Sequence, residues 1–241
     1  MVVSLTMKKL KTVNFRSLQF FFLILLMLFP IIYLCSCISL SFQTNFVRGN
    51  GHKISSVLPI SEFNSLYTSI PCNYIIIQSD TSTCRIEIDD NLIPFLNVSV
   101  VDSALFVKAT RNFFTSSIPI VYITTPSLDS LVNLVESFID LSLKTNRIVM
   151  LQNGKGTIKM KGNANEAYFT IQNSGEINAF DFPTSATIAT ANGFGIIQTT
   201  TDSLFARCSD RGKVEYKSNS SNSVFIRKIL SEKGSIKEIK E

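Results

Sequence analysis

Asn153-Gly154-Lys155-Gly156-Thr157-Ile158 opens a pattern that returns as Asn173-Ser174-Gly175-Glu176-Ile177, Asn192-Gly193-Phe194-Gly195-Ile196, Asp210-Arg211-Gly212-Lys213-Val214 and Glu232-Lys233-Gly234-Ser235-Ile236. Each member is a turn, a glycine and an aliphatic residue, and the glycines counted from Gly156 fall 19, 20, 17 and 22 residues apart. Eight of the chain's ten glycines lie beyond residue 150, so the repeat belongs to one part of the chain. Glu136-Ser137-Phe138-Ile139 reads as an earlier member, 18 residues before Gly156, with Phe138 in the glycine's place. A unit of about 20 residues with two short strands cannot close a core alone, but stacked units can. The expected fold is therefore all-β, a β-solenoid in which Ile158, Ile177, Ile196 and Val214 point inward and the glycines take corners with φ > 0. The alternative is an antiparallel β-sandwich, for which the same alternation would serve; regular glycine spacing favours the solenoid.

Working outward, residues 57–130 read as hairpins and strands of the same domain, and 131–241 as its repeat-built part. Ile75–Ile77, Arg85–Ile88, Asn97–Val101, Leu105–Lys108 and Ile118–Thr124 are short, rich in Val and Ile, and separated by Ser, Asp, Asn and Pro. Asp90–Phe95 is the one helical turn, limited by Pro94. The turn Ser79–Ser82 suggests that the strands on either side of it pair as a hairpin. Cys84 would then lie opposite a residue near Ile77, too far from Cys72 for a disulfide, whose Cα atoms sit about 5.5 Å apart. Cys72, Cys84, Cys208 and the single His52 have no metal-ligand spacing.

The N-terminus explains the net charge of +5. Lys8, Lys9, Lys11 and Arg16 precede residue 37 and no acid does, which leaves 19 basic and 18 acidic groups in the remainder. A nucleic-acid partner is therefore not indicated. Basic residues, then the apolar run Phe20–Cys35, then small and polar residues, are the order of a secretory signal over residues 1–36, with Met7 as a possible true start. The 16-residue run, which contains Pro30, is shorter than the ~20 residues a spanning helix needs, so a retained anchor is the lesser reading. Leu34-Cys35-Ser36-Cys37 resembles the lipobox of bacterial lipoproteins, which makes Cys37 the lipidation site. The alternative is a plain secreted protein cut near Ser36. Residues 37–56 read as a polar tether.

A longer resemblance rests on Asp89-Asp90-Asn91-Leu92-Ile93-Pro94-Phe95-Leu96-Asn97-Val98, Ala104-Leu105-Phe106-Val107, Ile120-Val121-Tyr122-Ile123-Thr124-Thr125-Pro126-Ser127-Leu128-Asp129-Ser130-Leu131 and the terminal Gly234-Ser235-Ile236. Together these resemble the putative auto-transporter adhesin head GIN domain family over roughly residues 57–237. The resemblance implies an all-β, solenoid-like envelope domain of Bacteroidetes-type bacteria. It carries over no catalytic or binding residue.

The reading of function follows from what is scarce. One histidine and no tryptophan leave little for acid/base work or sugar stacking, although Tyr168, Phe169, Phe180 and Phe194 could replace tryptophan. A carbohydrate-active enzyme would need a carboxylate pair about 5–9.5 Å apart from among Glu166, Glu176, Asp181, Asp202, Asp210 and Glu215. These acids sit beside turns, where solvated acids are ordinary. Asn153, Asn173 and Asn192 suggest a structural amide ladder, and His52 a solvated side chain. Gly154-Lys155-Gly156 lacks the spacing of a phosphate-binding loop. The expectation is a non-catalytic, adhesin-like binding or structural module of the cell envelope, without catalytic residue, metal or cofactor. It would be held to a membrane by lipid on Cys37, facing the periplasm or the outer surface, and would contact an unidentified protein or glycan. A carbohydrate-active enzyme and a periplasmic regulatory or scaffold protein are the alternatives.

Overall fold

The computed structural model describes residues 46–219, 225–231 and 233–240. Its strands, in chain order, are β1 (Val47–Arg48), β2 (Lys53–Leu58), β3 (Ser65–Thr68), β4 (Asn73–Gln78), β5 (Thr83–Asp89), β6 (Leu96–Val101), β7 (Ala104–Ala109), β8 (Phe113–Phe114) and β9 (Ile120–Thr125). They continue as β10 (Ser130–Asn133), β11 (Ser137–Gln152), β12 (Gly156–Ile171), β13 (Glu176–Ala191), β14 (Ile196–Cys208), β15 (Lys213–Ser218), β16 (Phe225–Leu230) and β17 (Ser235–Glu238). The predicted helical turn is a 3-10 helix, Asp90–Phe95.

The glycine pattern is the register of a parallel stack. Ser137 pairs with Gly156, Thr157 with Glu176, Glu176 with Ile196, Ile196 with Lys213 and Lys213 with Ser235. The fold is thus the β-solenoid, not the sandwich. Each coil contributes to two ladders. The first halves of β11–β14, followed by β15 and β17, stack on β4; the second halves, followed by β16, stack on β10 and β3. Inward positions change parity where the long strands turn between the sheets. In β11, Ile139, Leu141 and Leu143 are buried before the turn, and Ile148 and Met150 after it. Both sheets therefore face one core, which Ile158, Ile177, Val214 and Phe169 fill.

The unequal repeat lengths have a physical site. Between β12 and β13 the offset grows from 19 to 20 across Lys159↔Asn178 and Lys161↔Asp181. Between β13 and β14 it falls from 20 at Ala179↔Thr199 to 17 at Thr184↔Thr201. The extra residues of β13 are accommodated at its turn, around Phe180–Pro183.

Several expectations are corrected. Ser137, not Phe138, occupies the place of Gly156 in the preceding coil, because the offset is 19 and not 18. Ile197, not Ile196, is the inward residue: it pairs with Ile177 and Val214 and is fully buried. Ile197 stands two residues after Gly195, as Ile158, Ile177 and Val214 stand two after Gly156, Gly175 and Gly212. The glycines also differ in cause. Gly156 has φ 122°, which a side chain would adopt only with strain. Gly212 is needed for space instead, since a Cβ there would collide with the Ala191 carbonyl.

The hairpin across Ser79–Ser82 does not form. β4 and β5 flank that turn, but β9 lies between them, parallel to β4 and antiparallel to β5. β4 is an internal strand of the stack, and its two neighbours are β9 and β11. Cys84 consequently opposes Ile123, and Cys72, Cys84 and Cys208 are free and buried. The hairpin that does form is β6–β7, whose turn residues Asp102 and Ser103 both have positive φ, at 49° and 60°. The folded part also begins inside the expected tether: β1 pairs with β8, and β2 runs antiparallel to β5.

At the other end, β16 and β17 form the last coil. Lys228 stands in the inward column of Ala206, and Glu238 in that of Tyr216. Both are exposed.

Because Ile197 is in the core and Ile196 is not, Ile197→Val is expected to cost about 1 kcal/mol and Ile196→Val under about 0.5 kcal/mol. Chemical denaturation of the two variants measures the difference. Equal costs would refute the register.

Candidate functional site

The solenoid presents two outer faces, and their chemistry differs. On the first sheet the outward row that crosses β11, β12, β13, β14, β15 and β17 reads Asp140, Lys159, Asn178, Gln198, Glu215 and Lys237. It is polar throughout, and Gln198 Nε2 donates to Glu215 Oε2 at 2.8 Å.

On the second sheet the corresponding row crosses β10, β11, β12, β13, β14 and β16 as Ser130, Val149, Tyr168, Ile188, Phe205 and Arg227. Val149 and Ile188 are 38% and 39% exposed. The next row runs Phe106, Tyr67, Val132, Leu151, Thr170, Thr190, Arg207 and Ile229. Phe106 and Tyr67 stack with centroids 4.9 Å apart. Cations lie over the rings: Lys108 over Phe106 at 4.1 Å, Arg147 over Tyr168 at 4.7 Å and Arg227 over Phe205 at 5.6 Å. Tyr168 Oη donates to Glu166 Oε2 at 3.2 Å.

The predicted candidates distribute as follows. Tyr168 lies on this face, Phe169 is in the core, Phe180 is at the turn of β13 and Phe194 is 63% exposed in the turn before β14. Glu166 pairs in register with Arg147, Glu176 begins β13, and Glu215 lies on the opposite sheet. Asp181 and Asp202 sit at turns within β13 and β14, and Asp210 lies in the turn before β15. No two of the six share a register column, and no cluster of three metal-ligating groups occurs among the described residues. His52 is exposed, and its backbone carbonyl accepts from Asp90 N at 3.0 Å. Cys37 and the leader lie outside the described residues.

The asparagine ladder forms one rung. Asn173 Nδ2 donates to Asn153 Oδ1 at 2.7 Å, whereas Asn192 is out of phase and accepts from Ser209 Oγ at 2.7 Å. A different, buried ladder holds the first coils together. Thr68 Oγ1 donates to Asn133 Oδ1 at 2.7 Å, Asn133 Nδ2 to Gln152 Oε1 at 2.8 Å, and Gln152 Nε2 to Gly154 O at 3.0 Å. All three side chains are fully buried. Sequence reasoning missed this ladder and the apolar rows. Both become visible only when residues of successive coils are read as columns, with Thr68 and Tyr67 brought to theirs from 65 residues away.

The thiols carry no accessible chemistry. Burial pushes Cys72 up to about 12, and Cys84 and Cys208 up to about 11. Such groups are inert packing residues rather than nucleophiles.

The fold is a parallel β-solenoid whose second sheet carries an outward apolar row with cations over its rings. The chain belongs to the family described as putative auto-transporter adhesin, head GIN domain, whose model matches residues 62–220. A putative adhesin from Bacteroides fragilis has the same fold, with 20% identity, a TM-score of 0.63, and coverage of 80% of this chain and 100% of that one. A putative adhesin from Parabacteroides merdae is 20% identical with a TM-score of 0.49, covering 81% of this chain and 99% of that one. A putative lipid binding protein from Parabacteroides distasonis is 19% identical with a TM-score of 0.49, covering 80% and 99%. No curated protein matches the chain.

Proposed function

We propose that the chain is a non-catalytic, adhesin-like contact module of the cell envelope, held to a membrane by lipid on Cys37. The observation that carries this reading is the difference between the two outer faces. The first sheet carries a polar row beside separate exposed apolar residues, Ile77 and Phe138, while the second aligns Val149, Tyr168, Ile188 and Phe205 in one row toward solvent. Leaving such a row uncovered forgoes roughly 25 cal/mol per Å² of burial, which a partner would recover. The scatter of the six carboxylates supports binding over glycoside hydrolysis, which requires two of them in one place.

Two substitutions test the two halves of the proposal in the full-length protein. Ile188→Asp should lower binding to envelope fragments at least tenfold, with Asn178→Asp on the opposite face without effect. Equal behaviour of the two would overturn the contact face. Cys37→Ser should abolish incorporation of labelled fatty acid and move the protein to the soluble fraction. Continued labelling at wild-type levels would overturn the lipid anchor.

A further inference from the structure

Resting on the reading of the second sheet as the contact face, we infer that its ligand is a linear acidic glycan that lies along the stack, with one sugar ring against each coil.

The spacing of the rows supports this orientation. Paired strands stand about 4.8 Å apart, so Val149, Tyr168, Ile188, Phe205 and Arg227 present one side chain per coil at that interval. A pyranose unit advances its chain by a closely similar length. A glycan running across the strands therefore meets an equivalent position at each sugar, whereas one running along a strand would cross from the apolar row onto the turns within two residues.

The chemistry of the face fits the same ligand. A sugar ring has apolar C–H faces and hydroxylated edges. Here aromatic and aliphatic side chains are interleaved with the hydroxyls of Ser130, Thr170, Thr190 and Ser203, all in outward columns. Aromatic rings take the C–H faces, and the hydroxyls beside them exchange hydrogen bonds with the edges.

Charge decides which class of glycan. The charged residues in the outward rows of this sheet, among the described residues, are Lys108, Arg147, Arg207, Arg227 and Glu166, four cations against one anion. The chain beyond residue 36 is almost neutral, so the excess is local. Three of the cations rest over rings of the same face. Each can exchange part of that contact for a carboxylate or sulfate while the ring receives the sugar. A second copy of the chain docked by the same face would set these cations against one another, so the charge favours a foreign anion over self-association.

The test uses the full-length chain in mild detergent, titrated with an oligogalacturonate octamer and with neutral cello-octaose. The acidic octamer should bind at least tenfold more tightly than the neutral one. Its dissociation constant should rise several-fold between 50 and 300 mM NaCl, as expected for a charge-dependent contact. The pair Arg147→Ala and Arg227→Ala should weaken it about tenfold, and Tyr168→Ala should do likewise. Lys159→Ala on the other sheet should leave it unchanged. Equal affinity for the two octamers, or an equal loss with Lys159→Ala, would overturn the inference. Binding to phosphatidylglycerol vesicles without binding to the octamer would overturn it in favour of a membrane surface. If neither octamer binds while Ile188→Asp still abolishes attachment to envelope fragments, the glycan falls and the contact face stands. If Ile188→Asp is also silent, both fall.

Discussion

Asn133→Ala is expected to lower the unfolding free energy by about 3–5 kcal/mol. Asn133 is the middle of the buried ladder: it accepts from Thr68 and donates to Gln152 Oε1 and to the Val135 carbonyl, the last at 3.0 Å. Truncation leaves these groups short of partners in a region that water does not reach. Each orphaned polar group costs about 1–3 kcal/mol, and the space left by the amide adds a cavity cost. Thr190→Ala, on the outer face of the same sheet, should change stability by under about 0.5 kcal/mol. The triple change Thr68→Val, Asn133→Leu and Gln152→Leu should recover part of the loss, since the three side chains no longer orphan one another while the Val135 and Gly154 carbonyls still lose their donors. Denaturant titration reads all three, and a cost below about 1 kcal/mol for Asn133→Ala would show that the ladder does not hold the coils.

The second large effect is alkaline. Burial raises Cys72 to about 12 and Cys84 to about 11, and Tyr74, also buried, lies well above its ordinary value. In the unfolded chain these thiols ionise near 9. Between pH 9 and 11 the unfolded state therefore binds fewer protons than the folded one, and stability, complete below pH 9, falls as pH rises. Each thiol contributes ~1.4 kcal/mol per pH unit in that window. Cys72 and Cys84 together should thus withdraw about 4 kcal/mol between pH 9 and 11, with Cys208 adding to the loss. A variant carrying Cys72→Ala and Cys84→Val should be weaker at pH 8 but should lose markedly less over the same interval. Parallel pH profiles for the two proteins would refute the assignment.

How legible the fold was depends on the range of the interaction. The repeat lengths were readable because glycine marks each turn, where Gly156 needs its φ and Gly212 its lack of a Cβ. Within a repeat the register slipped by one at Ile196, because Gly195 is followed by two isoleucines and the inward place is the second residue after the glycine, as at Ile158, Ile177 and Val214. The pairing of β4 with β9 rather than β5 was not readable from the turn at Ser79–Ser82. Local turn chemistry favoured a hairpin, but Tyr74 and Ile76 are buried between parallel neighbours brought from 47 and 65 residues away. The outward apolar row was hidden for a related reason. Along the chain Val149, Tyr168, Ile188 and Phe205 lie in four separate strands, and only the stack puts them in a row. Of the carboxylates expected beside turns, Asp210 lies in one, whereas Glu166 and Glu215 stand on outward positions within strands.

Lys228 and Glu238 occupy inward columns of the last coil. A coil added beyond β17 would have to cover both charges, whereas one inserted between β12 and β13 would meet uncharged side chains, among them Ile158, Met160, Phe169 and Ile171 on one side and Ile177, Ala179, Phe182, Thr184, Thr187 and Ala189 on the other. The stack can therefore lengthen by duplication from within but not by extension at its C-terminal tip, and two molecules meeting tip to tip are denied the continuous core that would join them into a fibre.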